Sequence, residues 1–204
     1  MLAKEPVAGR AKTRLCPPCT PAEAAAVAEA ALADTLEAAL ASGADRVVLS
    51  LDGQPGPWCP AGIEIVDQGE GDLADRLATT WRAARGPALQ IGMDTPQADA
   101  AALDAAMAVL ADEPVDAVLG QALDGGWWAI GFRKPRPDVF AGIATSCADT
   151  GGRQLARLVA TGLTTGLLPP LRDVDTWSDA LAVAQHRPEG CFAAAVQRIE
   201  AARR

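Results

Sequence analysis

The sequence predicts an α/β fold whose mainly parallel sheet is covered by helices on both faces. Two observations carry that expectation. Short apolar, β-rich runs alternate along the chain with segments of helical periodicity, and half of the 204 residues are hydrophobic, enough to bury a sizeable core. A third points to the ligand side. The run Ala88-Leu-Gln-Ile91 stops abruptly at Gly92-Met-Asp94 and is closed by Thr95-Pro96. In open α/β sheets the ligand crevice lies beyond the carboxyl ends of strands, so Asp94 stands where a carboxylate can hold a divalent cation against phosphate oxygens. Read alone, Asp94 is also an ordinary helix cap or Asx turn.

Met1-Leu2-Ala3 reads as the tail of a short first strand. The next stretch, Lys4 to Leu15, is a loop by its Pro6 and Gly9, and Lys4, Arg10, Lys12 and Arg14 face a single acid, Glu5. Cationic side chains and free backbone amides in one loop suit a phosphate chain, although a solvated basic turn has the same composition. The loop is not a Walker A motif, because Pro6 and Ala11 stand where that motif needs glycine. Cys16-Pro-Pro-Cys19 has CxxC spacing, yet there is no second CxxC and the sole histidine, His186, is distant, which argues against zinc. No strand leads into it as a thioredoxin-like motif requires. Five cysteines without a visible export signal suggest reduced thiols and a cytoplasmic location.

Thr20-Pro21-Ala-Glu23 opens a helix that runs to Ser42-Gly43; Glu23, Glu29, Asp34 and Glu37 interrupt its apolar character too often for a membrane span. Arg46–Leu51 and Ile63–Val66 read as strands separated by turn material, and Asp72–Ala84 as a helix with Leu73, Leu77 and Trp81 facing the core. Gly69-Glu-Gly71-Asp-Leu-Ala74 matches the G-x-G-x-x-A of a dinucleotide site, with Asp94 about twenty residues on. Glu70 and Asp72 would place negative charge where pyrophosphate must sit, so an NAD-dependent oxidoreductase is only a remote alternative. Asp99–Leu110 is a further helix and Ala117–Leu119 a further strand. Asp124-Gly125-Gly126 lets a ligand approach the backbone, and Trp127 is either a stacking platform or a core residue. Asp149–Ala160 is helical in its second half and Thr164–Leu168 is a strand. Asp173 and Asp175, two apart in an extended loop, point the same way and can share one cation. Asp179 falls in the first turn of a helix; Ala180–Ala202 continues helically, interrupted near Pro188-Glu-Gly190, as a docking element.

The formal charge of −8 argues against nucleic-acid or anionic-membrane partners and leaves small molecules. Length favours one domain across 1–204.

Lys4-x-Pro6-x-x-Gly9-x-x-Lys12-Thr13-Arg14-Leu15, Gln68-Gly69 through Leu73 and Arg76, Gly92-x-Asp94-x-Pro96, Asp124-Gly125-Gly126 and Asp173-x-Asp175-Thr176 occur in that order. Together they resemble the bacterial family of domain of unknown function 2064, which is similar to the phospholactate, phosphoenolpyruvate and molybdenum-cofactor guanylyltransferases. The resemblance spans nearly the whole chain. It implies a three-layer α/β/α nucleotide-diphospho-sugar transferase (GT-A, Rossmann-like) fold with a mixed, mainly parallel sheet. It also implies nucleotide contacts from Lys4, Gly9, Arg10, Lys12, Thr13, Arg14, Gln68 and Arg76, with Lys12 and Arg14 as charged contacts to the phosphates. Asp94, Asp173 and Asp175 are the implied ligands of Mg²⁺ or Mn²⁺. Asp124, Gly125, Gly126 and Trp127 are implied on the acceptor or sugar side, with Asp124 as the base an alcohol acceptor would need.

The expected activity is transfer from a nucleoside triphosphate or nucleotide sugar to a small acceptor, as a nucleotidyltransferase or glycosyltransferase. A catalytically silent nucleotide-binding or interaction module is the alternative. Two departures stand out: relatives carry several apolar residues ahead of the position of Lys4, so the fold is expected to lose stability there, and Ala144–Ala148 lacks a tryptophan often found in the family. Oligomeric state, base, sugar and acceptor are not encoded in any pattern.

Overall fold

In the computed structural model, which describes residues 1–145 and 147–203, reciprocal capping boxes set where three helices begin. Thr20 and Glu23 exchange bonds at the start of α1 (Pro21–Ala41), Asp72 and Asp75 at α2 (Leu73–Ala83), and Thr176 and Asp179 at α5 (Trp177–Ala184). Asp99 caps α3 (Ala100–Ala111) through the Ala102 amide. The remaining helices are α4 (Thr150–Ala160) and α6 (Cys191–Ala201). The strands are β1 (Leu2–Lys4), β2 (Val48–Asp52), β3 (Glu64–Asp67), β4 (Ala88–Ile91), β5 (Ala117–Ala122), β6 (Trp127–Phe132) and β7 (Thr165–Leu171).

The strands form two ladders. β1-β2-β3 is wholly parallel; in β4-β6-β5-β7 the β6 pairings are antiparallel and β5/β7 is parallel. The expected mixed, mainly parallel sheet is thus present in two parts, with no pairing between β1 and β4 among the described residues. The cause is local: β1 has only three residues, and its Lys4 N–H meets the Met93 sulfur at 3.4 Å instead of a β4 carbonyl.

Side-chain parity supplies the three layers. Val118 and Ala129 pack with Leu103 and Leu110 of α3, whereas their neighbours Leu119 and Ile130 pack with Leu77 and Trp81 of α2 and Leu158 of α4. On β2, Leu49 and Leu51 meet Leu32 and Leu36 of α1, and Ser50 between them reaches Thr80 of α2 at 3.0 Å. Phe132 meets Trp81 and Phe140 edge to face, with centroids 4.7 Å apart for the first pair, and Trp81 stacks on Phe140. This topology puts Lys4 and Asp52 side by side at carboxyl ends and sends Asp94, Asp124 and Asp173 out just beyond β4, β5 and β7.

Four expectations shift. The strand placed at Arg46–Leu51 runs over β2, Val48–Asp52. Leu73 is half-exposed at the first position of α2 instead of core-facing, because the apolar face of the helix is completed by Ala74, Leu77, Ala78 and Trp81. α4 is helical from Thr150 onward, since Gly151 N–H bonds the Gly125 carbonyl at 2.8 Å and Thr150 Oγ1 bonds the Ala144 carbonyl at 3.2 Å. β7 continues to Leu171 through Pro169-Pro170, which an edge strand tolerates.

The carboxyl-terminal helices dock through Asp34. Gly190 offers no side chain to cap α6, and the buried Asp34 carboxylate of α1 accepts the Cys191 and Phe192 amides, each at 2.9 Å. Asp34→Ala strips both acceptors from a buried helix start, and it should cost about 2 kcal/mol in urea unfolding. Wild-type stability in that variant would remove this account of how α6 is held.

Candidate functional site

The basic loop is folded against the strand ends by its own backbone. Arg10 and Ala11 amides both bond the Val7 carbonyl at 3.0 Å, and Lys12 then adopts φ 48°, the left-handed region that a non-glycine residue seldom occupies. Such a conformation persists where surrounding contacts over-determine it, and those contacts are present. The Lys12 ammonium donates to the Val174 carbonyl and lies 2.6 Å from Asp94 Oδ1 and 3.9 Å from Asp175 Oδ1, with 9% of its side chain exposed. Arg14, largely in solvent, pairs with Asp175 Oδ2 at 2.5 Å. The main chain repeats the connection, Val174 N–H bonding the Asp94 carbonyl at 2.8 Å.

Above these strand ends lies a cleft of about 630 Å³. Lys4, Arg10, Lys12, Thr13 and Arg14 line one side of it, Gln68 and Arg76 another, and Asp94, Asp124, Gly126, Trp127 and Asp175 the rest. Gly9 stays outside at φ 78°, shaping the loop. Gly125, at φ 93°, holds the turn: a Cβ there would run into the Ala148 carbonyl oxygen. Trp127 is half-buried against the cluster around Phe132 and also lines the cleft, so both of its expected roles remain compatible with its position.

Besides Lys12 and Arg14, two further expected nucleotide contacts are already occupied. The Gln68 amide nitrogen donates to the carbonyls of Ala3 and Ser50 at 2.6 and 3.0 Å, bracketing β1 to β2. Arg76 pairs with Asp52 at 2.7 Å, and that guanidinium holds the Asp52 carboxyl below its ordinary range. Lys4 and Arg10 are exposed and make no ion pair among the described residues.

The carboxylates fall into two groups. Asp94 belongs with Lys12, whereas one oxygen each of Asp124, Asp173 and Asp175 lie within 4.8 Å of one another. Asp124 is half-oriented by its own turn, accepting the Gly126 amide at 2.7 Å. Burial, then the charges of Asp124 and Asp175, push the Asp173 pKa up to about 6. Three converging carboxylate oxygens that repel one another fit a hard divalent cation, which takes oxygen donors and removes the repulsion. The sequence places Asp124 on the acceptor side and Asp94 on the metal; the fold brings Asp124, not Asp94, to the Asp173–Asp175 pair. Thr145, Cys147 and Thr150 at the start of α4 also line the cleft and carry no motif that marks them in the sequence. Asp52 does have a signal, since it closes β2 at the sheet end where Asp94 follows β4. Ser146, within the Ala144–Ala148 stretch, lies outside the described residues.

A carboxyl whose pKa is higher in the folded than in the unfolded chain holds its proton more tightly when folded. The contribution of Asp173 to stability should therefore be greatest below about pH 4, fall as pH rises to about 6, and level off beyond. Asp173→Asn removes that slope. In cation-free buffer the variant should melt above the wild type at pH 7 and level with it at low pH; parallel curves across the range would overturn the assignment.

The family model described as an uncharacterized protein conserved in bacteria (DUF2064) matches residues 24–147, more than half of the chain. No curated protein matches the sequence. Among solved structures, a candidate nucleotide-diphospho-sugar transferase from Desulfovibrio desulfuricans G20 superposes with a TM-score of 0.86 at 24% identity, covering 98% of this chain and 94% of that one. Rv0371C from Mycobacterium tuberculosis H37Rv, solved in complex with manganese, gives 0.51 at 20% identity over 90% and 96% of the two chains. A cytidylyltransferase from Leptospira borgpetersenii serovar Hardjo-bovis (strain JB197) gives 0.53 at 11% identity over 98% and 91%. At these identities the likenesses establish the nucleotide-diphospho-sugar transferase fold, and the chain is a member of the DUF2064 family.

Proposed function

We propose that this chain is a metal-dependent transferase that uses a nucleotide-activated donor, a nucleoside triphosphate or a nucleotide sugar, with residues 1–204 acting as one domain. The observation that carries this reading is one cleft in which a basic loop faces, across strand ends, Asp124 and Asp175, two of three converging carboxylates. A phosphate chain needs both: cations for its oxygens, and anions to hold the metal that accompanies it. The manganese held by the Mycobacterium tuberculosis neighbour and the cytidylyltransferase activity of the Leptospira one support the same chemistry.

Asp124, Asp173 and Asp175 would hold Mg²⁺ or Mn²⁺, with Asp94 beside them. Such an ion, when bound, polarises phosphate oxygens and offsets charge developing on the leaving group. The chain supplies the rest. Lys4 and Arg10, exposed at the rim, draw the anionic donor in. Lys12 and Arg14 take phosphate oxygens by exchanging partners with Asp94 and Asp175, so their charges are already desolvated or aimed when the donor arrives. Trp127 offers its ring to a base or sugar, and Gly126 lets the acceptor approach the backbone. An acceptor phosphate is already ionised and needs no base; an alcohol acceptor would use Asp124.

A thermal-shift panel of GTP, CTP, UTP, ATP and common sugar nucleotides, each with Mg²⁺, Mn²⁺ or EDTA, tests the reading. A ligand at a hundred times its dissociation constant stabilises by about 2.7 kcal/mol. Stabilisation by one triphosphate that EDTA abolishes indicates nucleotidyl transfer and names the base; a response to sugar nucleotides alone indicates glycosyl transfer. Asp175→Asn should remove the metal-dependent part while leaving the protein folded. Binding without turnover for any acceptor would mark a silent nucleotide-binding module, and an EDTA-indifferent shift with NAD(H) alone would overturn the transferase reading.

A further inference from the structure

The cleft has a neutral part that the phosphate-directed side chains leave unused. Its wall includes Leu73 and Leu77 of α2, Trp127 of β6 and Gln90 of β4. Gln90 stands opposite Ile130 in the β4/β6 register, and residues directly opposite in an antiparallel pair share one side of the sheet. Ile130 packs in the cluster that holds Leu77 and Trp81, so Gln90 is directed to the α2 side of its strand.

An aliphatic side chain is what that position needs for packing. Leu89 and Ile91, on either side of Gln90, pack in the cluster of Leu103 and Leu110 of α3, and the α2 side offers Leu77, Ile130 and Phe132 as apolar neighbours. Gln90 is nevertheless only 5% exposed, and its Oε1 is buried with no hydrogen-bond partner among the described residues. Nor is that oxygen spent on the indole of the same cluster, since Trp81 Nε1 is unpartnered as well. A buried acceptor without a donor costs stability and calls for a partner.

The chemistry of the oxygen restricts that partner. Gln68, the other carboxamide on the cleft, is held by its nitrogen to the carbonyls of Ala3 and Ser50 and takes Arg76 at its oxygen, whereas Gln90 keeps an acceptor free. A neutral amide oxygen takes an N–H or O–H donor, which an ionised phosphate oxygen does not have. Leu77 and the Trp127 ring, on the same cleft, suit the faces of a ring whose edge meets the carboxamide.

We propose that Gln90 is a specificity-determining residue of the transferase. Its Oε1 accepts a hydrogen bond from an N–H or O–H on the edge of an uncharged ring of the nucleotide-activated donor. The inference rests on the transferase reading and adds to it the group that chooses among donors. The ring is the base or the sugar, two sources of one chemistry that the probes below separate.

The test is calorimetric titration of the wild type and Gln90→Met with GTP, CTP, UTP, ATP, UDP-glucose and GDP-mannose in Mg²⁺, beside the Tm of each ligand-free protein. Methionine keeps the length of the side chain and removes the carboxamide. Affinity for the ligand the wild type binds best should fall about tenfold, and the spread among ligands should narrow. The ligand-free variant should melt about 2 °C or more above the wild type, because the unpaired acceptor is gone. An equal loss for a triphosphate and the sugar nucleotide of the same base assigns the ring to the base; a loss confined to the sugar nucleotides assigns it to the sugar. Should Gln90→Met be insoluble, Gln90→Leu carries the same expectations. A Tm below that of the wild type overturns the proposal whatever the affinities, since it makes the carboxamide a packing group. Unchanged affinities in the variant overturn it alone, and silence of the wild type toward every probe overturns it together with the transferase reading.

Discussion

The arrangement at the strand ends depends on one buried ammonium. Lys12 reaches from the opening loop to Asp94 after β4 and to the Val174 carbonyl and Asp175 after β7, so three remote pieces of chain share a single positive charge. Removing that charge would leave Asp94 unpaired and the repulsion among Asp124, Asp173 and Asp175 less screened. The left-handed backbone at Lys12 is the local cost of aiming the side chain inward, offset by the contacts it makes. A phosphate-binding loop is usually described by what it offers a ligand. Here its first role, before any ligand, is to keep four carboxylates compatible with one fold.

Much of the architecture was legible because each layer has its own local grammar. Thr20-Pro21-Ala-Glu23 encodes a helix start within four residues and Asp179 is expected in a first turn, and the structure places both so, with Thr176 as the cap that completes the second. Strand positions followed from apolar runs, and Pro169-Pro170 misled only about where β7 ends. What stayed hidden was non-local. Nothing near Leu2 says that the Lys4 amide will meet Met93, and nothing near Thr150 says that α4 will be tied to the Asp124 turn.

The site shows the same division. Residue types and order were enough to nominate the basic loop and the strand-end aspartates, because their chemistry is written in their side chains. Pairing was not. Whether Asp94 or Asp124 joins Asp173 and Asp175 depends on how far each leaves its strand, and the Asp124 turn, closed by its bond to Gly126, carries it across. Gln68 and Arg76 belong to the cleft by position while their polar atoms serve Ala3, Ser50 and Asp52, a distinction no motif encodes.

The prolines of β7 have a consequence at the scale of many molecules. β7 is the outer strand of its ladder, and an outer strand with free amides is a template on which another chain can build. Pro169 and Pro170 have no amide hydrogens to offer, and both are exposed. β3, an outer strand of the other ladder, carries Glu64 and Asp67. These two outer strands thus each bear a feature that discourages sheet-to-sheet growth at high concentration, one by withholding donors and the other by charge.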